Sequence, residues 1–119
     1  MDARKRRRRF DELAGEALDR LPRWVQERME NVEVLVEELP PADAPNLLGL
    51  YEGVPLTNRG WGYGVGGTLP DRITLFRATL EAGDPTADEL RDRIRHTIVH
   101  EVAHFFGISD DRLREIDRY

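Results

Sequence analysis

His100-Glu101-Val102-Ala103-His104-Phe105-Phe106-Gly107-Ile108-Ser109-Asp110 is the stretch on which the reading of this chain turns. Its first five residues spell H-E-x-x-H within a segment of helical apolar spacing. Two histidines four apart on a helix share a face, with Cβ atoms about 5–6 Å apart. Both imidazoles can then reach one metal ion at Zn–N bonds of about 2.0–2.1 Å. Glu101, one residue along, comes close to a water on that ion without ligating it. This is the arrangement of a zinc-hydrolase site. The pentapeptide alone arises by chance in any His/Glu-rich helix, so the continuation matters. Gly107 stands where a helix ends on a residue with positive φ, which glycine adopts without steric cost. A sharp turn there returns the chain toward the metal, and a carboxylate three residues on completes three protein ligands. The fourth position is left for water, as catalytic zinc requires. Asp110 fits that place; Asp111 beside it and Glu115 beyond are alternatives, and both aspartates would also favour a helix N-terminus.

Roles follow from the chemistry. Zinc makes a water acidic enough to supply hydroxide near neutral pH. Glu101 is the candidate catalytic residue, accepting that proton and passing it to the leaving amine as a general base. His100, His104 and Asp110 are the candidate metal ligands. The histidines bind only when neutral, so activity should fall on acidification. His96, one turn before His100, lies near the same face, either supporting the site or exposed, with competition for the metal as a further alternative.

At these residues the chain resembles the zincin metallopeptidases, and among them the type whose third ligand is an aspartate. It is most similar to a small bacterial family of zincin-like metallopeptidases whose members are single domains of this size. Phe10 to Leu21 with Leu18-Asp19-Arg20-Leu21-Pro22, the strand around Asn31-Val32, Leu48-Gly49-Leu50-Tyr51-Glu52-Gly53 and Leu69-Pro70-Asp71-Arg72-Ile73 carry the resemblance over nearly the whole chain. It implies an α+β fold: a small mixed sheet packed on helices that include the H-E-x-x-H helix. It also implies a strand just upstream of the site helix that borders the cleft and accepts extended substrate by β-augmentation. The metzincin type carries a methionine turn beneath the metal, but Met1 and Met29 both precede the motif. Tyr119 is the candidate to pack under the site instead, or to assist the oxyanion; the alternative is a frayed terminus.

Composition sets independent bounds. The 119 residues make one domain, and a chain this long buries about 65–70% of its unfolded surface. With no cysteine, neither disulfides nor a cysteine zinc site can form. No apolar run approaches the roughly 18 residues of a membrane span. The basic start leads into an amphipathic helix rather than the apolar stretch of a secretory signal, which makes the cytoplasm the expected location. Residues 1–9 carry a net charge of +5 and residues 10–119 carry −10. The division expected is a disordered basic tail over 1–9 and a zincin-like domain over 10–119.

The apolar spacing predicts a helix from Asp11 to about Met29, broken or restarted at Pro22. Asn31 to Leu39 alternates as a half-buried strand, and Leu47 to Tyr51 is a second short apolar segment. Gly62, Gly64 and Gly67 match G-x-G-x-x-G, but Leu69-Pro70 leads into a strand and no helix N-terminus follows, so the stretch reads as a loop. Trp61 and Tyr63 within it are candidates for contact with substrate. Asp71 to Leu80 is the third strand, with Arg72 and Arg77 either beside the cleft or guarding an edge. The site helix starts at Asp84-Pro85-Thr86, or at Thr86 with Glu89 as a capping box. Leu90, Ile94, Ile98, Val102 and Phe105 form its buried stripe. Ser109 or Asp110 caps a last helix with Leu113 and Ile116 inward.

Three functions fit these features. The first is a zinc-dependent metallopeptidase acting on a peptide or protein substrate. The second is a catalytically silent zincin-like module for metal binding and regulation. The third is a nuclease or nucleic-acid binder using the arginine-rich start. Bacterial endoribonucleases with three histidines in similar spacing exist, but Glu101 and an aspartate in the third place weigh against that family and against nucleic acid as a partner. A homodimer is compatible with an exposed strand edge.

Overall fold

The computed structural model describes residues 2–60 and 69–116. The first helix, α1 (Ala3–Asp19), begins eight residues before the expected start. The Asp2 carboxylate caps it by accepting from the Lys5 amide at 2.9 Å, and arginine is itself a good helix former. Arg7 then pairs with Asp11 one turn on and with Glu38 across the fold. The basic residues Arg4 to Arg9 are therefore helical rather than a disordered tail. Phe10, Leu13, Ala14 and Ala17 make the buried stripe of α1, which packs against the site helix.

Pro22 ends this run and caps a short second helix, α2 (Arg23–Arg28). The Gln26 amide donates to the carbonyls of Asp19 and Leu21, supplying partners that the end of α1 lacks. β1 (Val32–Glu37) turns Val32, Val34 and Val36 toward the core and Glu33, Leu35 and Glu37 outward. β2 (Gly49–Glu52) starts two residues after the expected apolar segment Leu47 to Tyr51 and ends one residue beyond it.

β3 spans Asp71–Phe76 and corrects two expectations. The sheet order is β1-β3-β2, with β3 parallel to β1 and antiparallel to β2. The strand just upstream of the site helix is thus central, buried at every residue but Arg72, and β2 forms the edge beside the site. Arg72 and Arg77 do not guard an edge. The strand also stops early. Its partner β1 ends at Glu37, opposite Phe76, and without a ladder the chain turns into α3 (Arg77–Leu80). Arg77 grips Glu38 through two nitrogens, at 2.9 and 2.8 Å, and Glu81 through a third at 3.1 Å.

The site helix α4 (Ala87–Phe105) starts with the capping box: the Glu89 amide donates to Thr86 Oγ1 at 3.2 Å, and the Thr86 amide to Glu89 Oε1 at 2.8 Å. Leu90, Ile94, Ile98, Val102 and Phe105 are all buried. They press α4 onto α1 and the sheet, which points its other face to solvent. A last helix, α5 (Asp110–Ile116), follows, with Ser109 capping it through the Arg112 amide at 3.2 Å. Leu113 is half-buried; the side chain of Ile116 lies outside the described residues.

Candidate metal centre

The site is assembled from the last two turns of α4, the turn after it and the outer edge of β2. Helix α4 ends in a Schellman motif, in which the Gly107 amide donates to the His104 carbonyl and the Ile108 amide to the Ala103 carbonyl, each at 2.9 Å. Gly107 has φ +89°, the left-handed conformation that motif needs. The turn aims the Ile108 carbonyl at His104 Nδ1, 2.8 Å away. A carbonyl only accepts, so the ring proton of neutral His104 sits on Nδ1 and its Nε2 carries a bare lone pair.

That lone pair faces Asp110. Nε2 of His100 and Nε2 of His104 each lie 3.0 Å from the same atom, Asp110 Oδ1. A histidine nitrogen and a carboxylate oxygen at this distance need a proton or a metal cation between them, and two imidazole nitrogens with one carboxylate oxygen are a zinc donor set. Tetrahedral bonds of about 2.0–2.1 Å would place ligand atoms about 3.3 Å apart, near the separations seen. The residues therefore fit the metal.

Glu101 occupies a different place. It projects about 100° round the helix from His100, toward β2, and is only 7% exposed. Burial raises its pKa above the usual carboxylate range; His104, His100 and a hydrogen bond from the Tyr51 backbone amide oppose that rise, and Asp110 adds to it. Ligand atoms of His100, Glu101 and His104 lie within 4.8 Å of one another. The two carboxylates thus bracket the histidines, with Asp110 in contact with both rings and Glu101 behind them against the sheet.

The remaining candidates separate cleanly. Asp111 is turned away and pairs with Arg114 at 2.9 Å, while Glu115 pairs with Arg112 at 2.8 Å. His96 is exposed, its ring centroid 6.5 Å from that of His100. It lines a cleft of about 320 Å³ with Leu47, Leu48 and Gly49 on one side and His100 and Glu101 on the other. Trp61, Tyr63 and Tyr119 lie outside the described residues.

Sequence reasoning missed what β2 contributes. A Cβ on Gly49 would stand 2.7 Å from Thr97 Cγ2, 3.1 Å from the Thr74 carbonyl and 3.3 Å from Glu101 Cγ. Only glycine lets the strand lie this close to α4, and close approach is what brings the Tyr51 amide to Glu101. A lone glycine between Leu48 and Leu50 was the available signal.

The sequence pattern of the family described as Zincin-like metallopeptidase matches residues 29–119. The chain belongs to that family. No curated protein matches it in a sequence comparison. Of this zincin-like chain, the matched span takes in β1, β2, β3 and the site helix, and leaves α1 and α2 outside. Those outer helices still supply part of its core through Phe10, Leu13 and Val25. Among the described residues no helix is long and apolar enough to cross a membrane.

Proposed function

We propose that this chain is a zinc-dependent peptidase acting on a peptide or protein substrate. The observation that carries this reading is the convergence of His100 Nε2, His104 Nε2 and Asp110 Oδ1, with the buried Glu101 alongside. Those three atoms would hold the ion, with His104 fixed in the ligating tautomer by Ile108. Zinc bound there supplies Lewis-acid polarisation of the scissile carbonyl and lowers the pKa of the attacking water.

The chain's own residues do the rest. Glu101, whose proton affinity burial raises, takes a proton from the water as its oxygen bonds to the carbonyl carbon. It returns that proton to the amine nitrogen as the C–N bond breaks, leaving a carboxylic acid and an amine. Among the described residues β2 pairs with β3 alone. Its other edge faces the site and offers main-chain groups to an extended substrate, while Leu47 and Leu48 give the adjoining cleft an apolar wall.

Elemental analysis of protein purified without chelator should find about one zinc per chain, lost in His104→Ala. On a peptide library, Glu101→Gln should keep its zinc and lose hydrolysis by about 10²–10⁴-fold. Full turnover in Glu101→Gln would remove Glu101 as the base. Stoichiometric zinc with no cleavage by the native chain would instead make it a metal-binding module.

A further inference from the structure

We infer that Arg59 is a positioning residue for Asp110, acting through Thr57 and Gly107; the inference rests on the zinc-site reading above. It begins with Asp71, the first residue of the central strand and 3% exposed. A carboxylate so buried needs charged or hydrogen-bonding partners. It accepts from Tyr51 Oη at 2.6 Å and from Arg59 Nη2 at 2.7 Å. The rest of the same guanidinium is also engaged: Nε donates to the Val54 carbonyl at 2.9 Å, and Cζ lies 5.4 Å from the ring centroid of Phe105, the last residue of α4. One side chain thereby ties the sheet, the chain at Val54 and the end of the site helix together.

The segment held between Val54 and Arg59 contains a 3-10 turn, Leu56–Asn58. Its middle residue, Thr57, sits against the backbone of Gly107, where an added Cβ would overlap Thr57 Oγ1. Gly107 is the pivot that sends the chain back to place Asp110 on the two histidines. Hydrogen bonds to α4 fix one side of that pivot. Thr57 stands on another side, where glycine has no side chain of its own to make contacts. The ion pair of Arg59 with Asp71 is thus a strut: it holds Thr57 in place, Thr57 confines Gly107, and Gly107 sets the reach of Asp110.

The test is zinc affinity of the full chain, read by competition with a chromophoric chelator. Arg59→Met keeps an apolar stem near Phe105 and removes the fork. Arg59→Met with Asp71→Asn also removes the carboxylate left without its guanidinium, and Thr57→Ala probes the same path at an exposed position outside the buried pair. Each folded variant should bind zinc more weakly, by about 10–100-fold for the Arg59 changes, with a native circular dichroism spectrum. Combined with Asp110→Ala, Arg59→Met should add nothing to the loss that Asp110→Ala causes alone, because both act on one ligand. A purely structural role would leave the two losses multiplying. Native affinity in the folded variants, or losses that multiply, would overturn the positioning role and leave the zinc site standing. A native chain that binds no zinc would overturn both.

Discussion

At the scale of single residues, the site rests on what each polar group can and cannot donate. His104 has its proton directed to Nδ1 by the Ile108 carbonyl, so its other nitrogen meets Asp110 as a lone pair. Burial raises the pKa of Glu101 above the usual carboxylate range. Its folded pKa is raised, so the folded state binds this proton more tightly than the unfolded one. The resulting stability is complete below the unfolded pKa and is lost as pH rises through the folded value. In metal-free protein, Glu101→Gln should therefore be more stable than native near neutral pH, and the gain should shrink on acidification. Denaturation of chelator-treated protein at several pH values checks this; a glutamine variant less stable at every pH would contradict it.

At the scale of elements, two contacts decide where β2 and α1 lie. Gly49, having no side chain, lets β2 rest directly on the Thr97 and Glu101 side chains of α4. Gly49→Ala should cost about 1–3 kcal/mol, as overpacking does, and should weaken turnover by lifting the Tyr51 amide from Glu101. Urea unfolding and peptide cleavage measured on the same variant test the pair of effects. Glu38 joins α1, β1 and α3 through Arg7 and Arg77. The hydrogen bond from Arg77, aided by the charges of both arginines, holds its pKa below the usual carboxylate range. That stability is present above the unfolded pKa and lost as pH falls through the folded one. Because the pair is half in solvent, Glu38→Gln should cost no more than about 1 kcal/mol at neutral pH. Thermal unfolding at neutral and strongly acidic pH should show the difference disappearing in acid.

At the scale of the molecule, one core joins α1, the sheet and α4, and the candidate ligands all follow from the end of α4. Metal binding and folding are then linked. Zinc at about 100 times its dissociation constant should add about 2.7 kcal/mol, or roughly 10–20 °C in Tm for a domain near this size. His104→Ala should abolish that shift while keeping most of the metal-free stability, since His104 is not part of the buried core. A scanning experiment with and without chelator separates the two outcomes.

The chain's local patterns determined much of this. The spacing of His100, His104, Gly107 and Asp110 is a property of one helix and one turn, and the capping box at Thr86 and the stripe from Leu90 to Phe105 are equally local. Such features are legible because helical period and glycine's conformational freedom act over a few residues. The helical state of residues 3–9 was missed because their charge suggested solvation, whereas a cap at Asp2 and the pair of Arg7 with Glu38 favour helix. Only the tertiary structure decided that β3 is central and β2 the edge, since alternation marks a strand's faces and not its neighbours. It alone brought the Tyr51 amide to Glu101 and set Thr57 against Gly107. Those contacts join segments some fifty residues apart in the chain. They arise from the packing of layers, which no local pattern encodes.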